Sequence, residues 1–308
     1  MAEDSAVAPV FTGPAAARGP RGRWIAELGL VGVAAAWGLT FTVIQDAVVV
    51  LAPLAFVAYR FLVAGLLMAA PFAAGLRRLS GQGWLAGVVL GLLLVSGYVT
   101  QTIGLTHTTA SSAGFITGLY VVFTPLLGWV LLRQALRPWA WACVAAATVG
   151  LLLLSGFGGG WHPLGDGLML VCSVSFALHI LYTDRVVRRF EVGPLVAVSL
   201  TVCGLVALVL AALTGDLSVP SGGQVWVALL FTAVFASSLA YFMQSFAQLR
   251  TSPARTSLIL ATEPVFAGVF GFWLAGDRLS TLGWVGAGVM ALAIIAMEAK
   301  PPRPASPT

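Results

Sequence analysis

Ten apolar stretches follow one another along the chain, at about 25–45, 54–75, 84–104, 110–132, 138–156, 166–183, 194–214, 224–247, 256–275 and 281–298. Each is close to the roughly 20 residues that a helix needs to cross the hydrocarbon core of a bilayer. Hydrocarbon offers no partner to backbone N–H and C=O groups, so a spanning segment must be a helix or part of a closed barrel. A barrel would read as segments of about ten residues alternating apolar and polar. The stretches 85–95 and 196–213 are instead apolar on all sides. The expected fold is therefore all-α and integral to the membrane, with ten transmembrane helices. Composition excludes a soluble alternative, because only 9% of residues are charged against roughly 25% in soluble domains.

The few charges orient the chain. With the N-terminus inside, the inner segments hold every one of the 16 basic residues except Arg60 and Arg278. The positive-inside rule selects that orientation over its mirror, so both termini are expected in the cytoplasm. Residues 1–23 and 300–308, rich in Pro, Ala and Arg, read as disordered tails. No cleavable signal is expected, because the first apolar run continues for a full span. The single Lys among these basic residues suggests a GC-rich genome and a bacterial inner membrane. The net charge of +5 does not indicate a nucleic-acid partner, since the arginines form no basic stripe. Cys143, Cys172 and Cys203 lie inside apolar blocks without disulfide or metal spacing and read as packing residues.

The chain also repeats itself. Val57, Ala58, Val63, Gly65 and Leu66 match Val196, Ala197, Val202, Gly204 and Leu205 at a shift of 139, and Tyr98 and Gln101 match Tyr241 and Gln244 at 143. Thr108-Thr109-Ala110 parallels Ser252-Pro253-Ala254, and Arg133-Gln134-Ala135-Leu136 parallels Gly276-Asp277-Arg278-Leu279. The expected units are 24–157 and 158–299. Five spans are an odd number, so the second unit must enter the membrane from the opposite side. Inverted repeats of this kind build alternating-access carriers with a site near the midplane.

Trp37-Gly38-x-x-Phe41, Arg60-Phe61, the stretch TTASSAGFITGLYVVFTP from Thr108 to Pro125, Glu263-Pro264-Val265-Phe266 and Gly276-Asp277-Arg278-Leu279 resemble the drug/metabolite transporter superfamily, EamA type. The resemblance covers about residues 25–298. It implies a ten-helix carrier with a central cavity between the halves, usually exporting small metabolites or drugs. The chain departs from the family where Arg133-Gln134 replaces the common Gly-Glu and Asp277 replaces Glu.

An ionised side chain at mid-membrane costs about 2.5–3.5 kcal/mol on insertion scales, so each one needs a partner, a wet cavity or a function. Glu263 reads as a protonatable coupling group or a counter-ion for a cationic substrate. The alternative is a fixed lock to Arg60 or to backbone. Arg60 reads chiefly as a structural ion-pair partner. The pairs Tyr98/Gln101 and Tyr241/Gln244, each at i, i+3 and so on one helix face, are expected to line the cavity. Ser175, His179 and Tyr182 form a polar stripe on the sixth span, and Thr117, Tyr120 and Thr124 on the fourth. Ala110, Gly114 and Gly118 read as a packing stripe, and second as a dimer face. His179 is a second coupling candidate because histidine titrates near neutrality.

The expected function is a secondary carrier that moves a small organic solute by alternating access, as a monomer or homodimer. Its cavity is expected to be lined by Trp37, Tyr98, Gln101, Tyr120, His179, Tyr241, Gln244 and Glu263. No cofactor or metal is expected, since neither a Walker loop nor a His/Cys/carboxylate cluster is present; Gly156-x-Gly158-Gly159-Gly160 reads as an outer turn. Two rivals are a membrane enzyme using Glu263 and His179 as acid and base, and a facilitative channel kinked at Pro125 and Pro264.

Overall fold

Every regular element among the described residues is helical, as the missing backbone partners in hydrocarbon require. The computed structural model describes residues 20–44, 47–108, 110–133, 136–155, 162–275 and 280–299. Most of the N-terminal tail, the C-terminal tail, Gln134, the 156–160 turn and the 276–279 motif lie outside them.

In chain order the helices are α1 (Pro20–Ile44), α2 (Ala47–Val50), α3 (Pro53–Ala69), α4 (Ala73–Arg78), α5 (Gly81–Leu105), α6 (Ala110–Gly118), α7 (Tyr120–Leu132) and α8 (Pro138–Ser155). They continue with α9 (Pro163–Val186), α10 (Val192–Thr214), α11 (Gly223–Phe231), α12 (Ala240–Gln248), α13 (Pro253–Leu260), α14 (Glu263–Phe270) and α15 (Thr281–Ala299). A π-helical segment, Thr232–Leu239, joins α11 to α12, and another, Gly271–Ala275, continues α14. Among the described residues seven helical stretches are long and apolar enough to cross a membrane: Gly81–Leu105, Ser112–Leu132, Pro138–Ser155, Pro163–Val186, Val192–Thr214, Gly223–Gln248 and Pro253–Leu274. Pro53–Ala69 and Thr281–Met297 are shorter apolar helices.

Local chemistry sets the boundaries. Proline opens α3, α9 and α13, where its missing N–H and fixed φ cost nothing. The Ser80 and Ser252 side chains accept from the N–H groups of Gly83 and Arg255, capping α5 and α13. Two passes are broken midway, one between α6 and α7 at Leu119 and one between α13 and α14 at Ala261 and Thr262. In the second break Pro264 has no N–H to offer the preceding turn, and the Thr262 hydroxyl donates to the Ile259 carbonyl (2.6 Å).

The most extensive packing pairs are α3 with α10, α5 with α9, α8 with α15, and α5 with α10. The α3–α10 crossing depends on two glycines. A Cβ at Gly65 would lie 2.9 Å from the Thr201 nitrogen, and one at Gly204 would lie 2.6 Å from the Leu62 nitrogen. Helix association in lipid rests on such close backbone approach. Of the apolar cores that result, the two largest are built one around α1, α7, α8, α12, α13 and α15, the other around α3, α5 and α10; Trp37 and Phe176 pack against both.

The helix ends sort into two groups. At one end Arg255 pairs with Glu27 (3.2 Å) and donates to the Met297 carbonyl, Trp139 donates to the Ala296 carbonyl, and Arg188 reaches the Gln248 carbonyl. Arg23, Arg77, Arg78, Arg133, Arg137, Arg185, Arg188, Arg189, Arg250 and Arg255 all sit at helix ends on this side. At the opposite end Thr108 donates to Asp166 in the first turn of α9 (2.5 Å).

Candidate transport cavity

The space between the two cores is a cavity of about 350 Å³. Its wall contains all eight residues that the sequence marked: Trp37 from α1, Tyr98 and Gln101 from α5, Tyr120 from α7, His179 from α9, Tyr241 and Gln244 from α12, and Glu263 from α14. Arg60 of α3 lines it too. Exposed Pro53, Leu105 and Thr106 line its mouth, at the end away from the arginines. Buried Ile180 and Leu260 form its floor.

Aromatic rings make the middle of the cavity. The Tyr98 and Tyr241 hydroxyls are 2.9 Å apart and hydrogen-bonded, so two residues related by the 143-residue shift meet face to face. Around them Tyr98 packs edge-on against Phe176 (5.4 Å) and Tyr241 edge-on against the His179 ring (5.6 Å), with Trp37 tilted against Tyr241 (5.5 Å). Such rings offer apolar area, a negative π face and, through tyrosine, a polar tip.

Arg60 is buried, and its expected carboxylate partner is not the one that holds it. Among the described residues it makes no ion pair. Its Nε donates to Ser237 Oγ (2.7 Å) and its Nη2 to the Ala236 carbonyl (3.1 Å), while the guanidinium lies 5.2 and 5.7 Å from the Phe61 and Tyr98 rings. Ala236 and Ser237 belong to the π-helical segment, whose altered register turns a carbonyl sideways into the bundle. The same Ala236 carbonyl accepts from Trp37 Nε1 (2.8 Å). One turn of α11–α12 thus fixes two cavity residues from two other helices.

Glu263 occupies the first position of α14, directly after the helix break, where a helix N-terminus favours negative charge. Gly38 brings α1 against it, since a Cβ there would lie 2.9 Å from the Glu263 carbonyl oxygen. Among the described residues its carboxylate has no hydrogen-bond or ion-pair partner. Two further buried acceptors at the wall, Gln244 Oε1 and the Tyr120 hydroxyl, also have none among the described residues. The cavity therefore presents a carboxylate, an amide oxygen and a phenol between aromatic faces, with the one guanidinium already engaged.

Other marked residues divide. Thr117 lines the cavity, whereas Tyr182 packs beside Ala86, Leu90 and Val186, and Ser175 bonds to Ser96 (3.0 Å). Gly118 packs on Leu151 of α8. The three cysteines are buried and none is disulfide-bonded. Ser237 and Ala236 were missed, because their role depends on the π-helical register and no local composition marks it.

A bundle of apolar helices around a largely apolar cavity, with a few polar groups set among aromatic rings, is the construction of a membrane transporter. The chain belongs to the EamA-like transporter family, within the drug/metabolite transporter superfamily, and the family's pattern matches it twice, over residues 24–156 and 163–298. An uncharacterised transporter of Archaeoglobus fulgidus is 33% identical over 273 residues, covering 89% of this chain and 85% of the relative. The uncharacterised inner membrane transporter YedA of Escherichia coli K12 is 27% identical over 270 residues, covering 84% and 86%. One crystal structure superposes with a TM-score of 0.78 at 16% identity over 90% of this chain and 97% of the other, a shared fold.

Proposed function

We propose that this chain is a secondary carrier that moves a small organic solute across a bacterial inner membrane by alternating access, with export the favoured direction. The observation that carries the reading is a cavity whose lining is exposed at one end, at Pro53, Leu105 and Thr106, and buried at the other, at Ile180 and Leu260. A pore would run through. The proposed architecture is ten passes, the seven long stretches with α1, α3 and α15, arranged as inverted halves 24–157 and 158–299. Its support is an exchange of partners: α5 and α7 of the first half pack on α9 of the second, while α12 and α14 of the second pack on α1 of the first. The equivalent pairs α3/α10 and α8/α15 pack on each other. The gathering of arginines at one end favours cytoplasmic termini.

The proposed substrate site is Trp37, Tyr98, Gln101, Tyr120, His179, Tyr241, Gln244 and Glu263, with Glu263 as proton-coupling group and His179 as second candidate. The free acceptors and aromatic faces suit a solute bearing an amine or amide. Protonation of Glu263 would bias the populations of the two access states. The test is transport into proteoliposomes of a panel of amino acids, nucleosides and cationic drugs, with and without a proton gradient. Glu263→Gln is expected to abolish gradient-driven accumulation and flatten the pH profile while leaving exchange. An unchanged pH profile removes the coupling role.

A further inference from the structure

The cavity ends at a floor, but the chemistry of its walls does not. Four helices that line it each carry another buried polar group one turn past the floor, on the same face by i, i±3 or i±4 spacing. Tyr120 is followed by Thr124 on α7, His179 by Thr183 on α9 and Gln244 by Gln248 on α12; Leu260 is preceded by Thr256 on α13. Thr124, Thr183, Gln248 and Thr256 are all fully buried. The four helices pack on one another here, α7 on α9 and α13, α12 on α9 and α13.

A packed core buries polar groups because they are bonded to each other. This ring breaks that rule. The hydroxyls of Thr124, Thr183 and Thr256, and the Gln244 Oε1 just above them, have no partner among the described residues. Within it Gln248 Nε2 donates to the Ile180 carbonyl (2.7 Å), tying α12 to α9 directly beneath the cavity. On the rim Arg188 reaches the Gln248 carbonyl (3.4 Å) while bonded to Asp184 (2.8 Å). At the open mouth the counterpart of Gln248, 143 residues earlier, is the exposed Leu105.

We infer that this polar ring is the closed half of the solute path, and that the Gln248–Ile180 bond, backed by Arg188, is its gate. Orphan hydroxyls are costly in the state described and gain water when α12 and α9 part, so part of the energy that drives opening is stored in them. The gate rests on the alternating-access reading. Each opening replaces one amide–carbonyl bond by water, and closure of the far mouth brings Leu105 inward.

Thiol labelling with a membrane-impermeant maleimide tests it in right-side-out and inverted vesicles, against the background of the three buried native cysteines. Thr256→Cys is expected to react slowly from either side in the parent. Adding Gln248→Ala should raise its labelling roughly fivefold from the Arg188 side only, the weight of one net hydrogen bond. Labelling of Leu105→Cys from the opposite side should fall in the same background. If Gln248→Ala does not insert as a monodisperse protein, Arg188→Ala at the rim is expected to act in the same direction. Equal Thr256→Cys labelling with and without either change overturns the gate and makes the ring static packing. A rise at Thr256→Cys with Leu105→Cys undiminished means that both mouths open together, which overturns alternating access while leaving the path.

Discussion

Arg60 shows what a single residue must settle before it can sit in a bilayer. Its charge is spread over two hydrogen bonds to one π-helical turn and two aromatic faces, and among the described residues Glu263 is left without a partner. The Ser237 hydroxyl is the detachable part of that arrangement. Ser237→Ala strands a buried charged donor, which costs about 1–3 kcal/mol, and it releases Nε to swing toward Glu263. We expect a lower midpoint of thermal unfolding in detergent. We also expect a pH profile displaced to lower pH, because a nearby guanidinium favours the carboxylate form. Restoring the hydroxyl with Ser237→Thr should recover both. An unchanged profile alongside lost stability would mean that Arg60 stays put without Ser237.

At the scale of elements, two broken passes contain two prolines with different consequences. Pro264 stands in the first turn of α14, where proline costs little. Pro264→Ala is therefore expected to change stability by less than about 1 kcal/mol but to let α13 and α14 join, pulling Glu263 off the cavity and lowering transport. Pro125 lies inside α7, where the missing N–H leaves a carbonyl unbonded. Pro125→Ala is expected to stabilise by roughly 1–3 kcal/mol. Unfolding midpoints and transport rates of the pair separate the two roles. The sequence made some of this legible. Apolar length located the passes, since hydrocarbon imposes it, and polar or aromatic residues inside a span are so few that the cavity wall could be named from them. The break at Ala261 and Thr262 is announced by Pro264, whereas the break at Leu119 lies six residues before Pro125 and is set by packing. The π-helical register of 232–239 and the orphan hydroxyls of Thr124, Thr183 and Thr256 were equally hidden. Threonine in a span ordinarily bonds its own helix, and only the assembled bundle leaves these three without partners among the described residues.

For the whole molecule, the decisive fact is that the large interfaces cross between the halves. The α3/α10, α5/α9, α5/α10 and α8/α15 pairs each join the first family match, 24–156, to the second, 163–298, while contacts among the first half's own helices are few. Lipid gives no hydrophobic drive for helices to associate, so a half without its partner loses the close packing that holds it. Gly65 and Gly204 make the point reciprocally, each admitting the backbone of the other half's helix. Cutting the chain in the 156–161 connection is therefore expected to give two fragments that are each degraded when expressed alone. Expressed together from one membrane they should co-purify and transport, since every described residue of the cavity wall lies on one fragment or the other. Gly204→Leu in the second fragment is expected to abolish co-purification by driving α10 off α3. A first fragment that survives alone as a stable monomer, or tolerates Gly204→Leu in its partner, would mean that each half is a self-sufficient bundle and that the cavity lies between docked domains instead of interleaved ones.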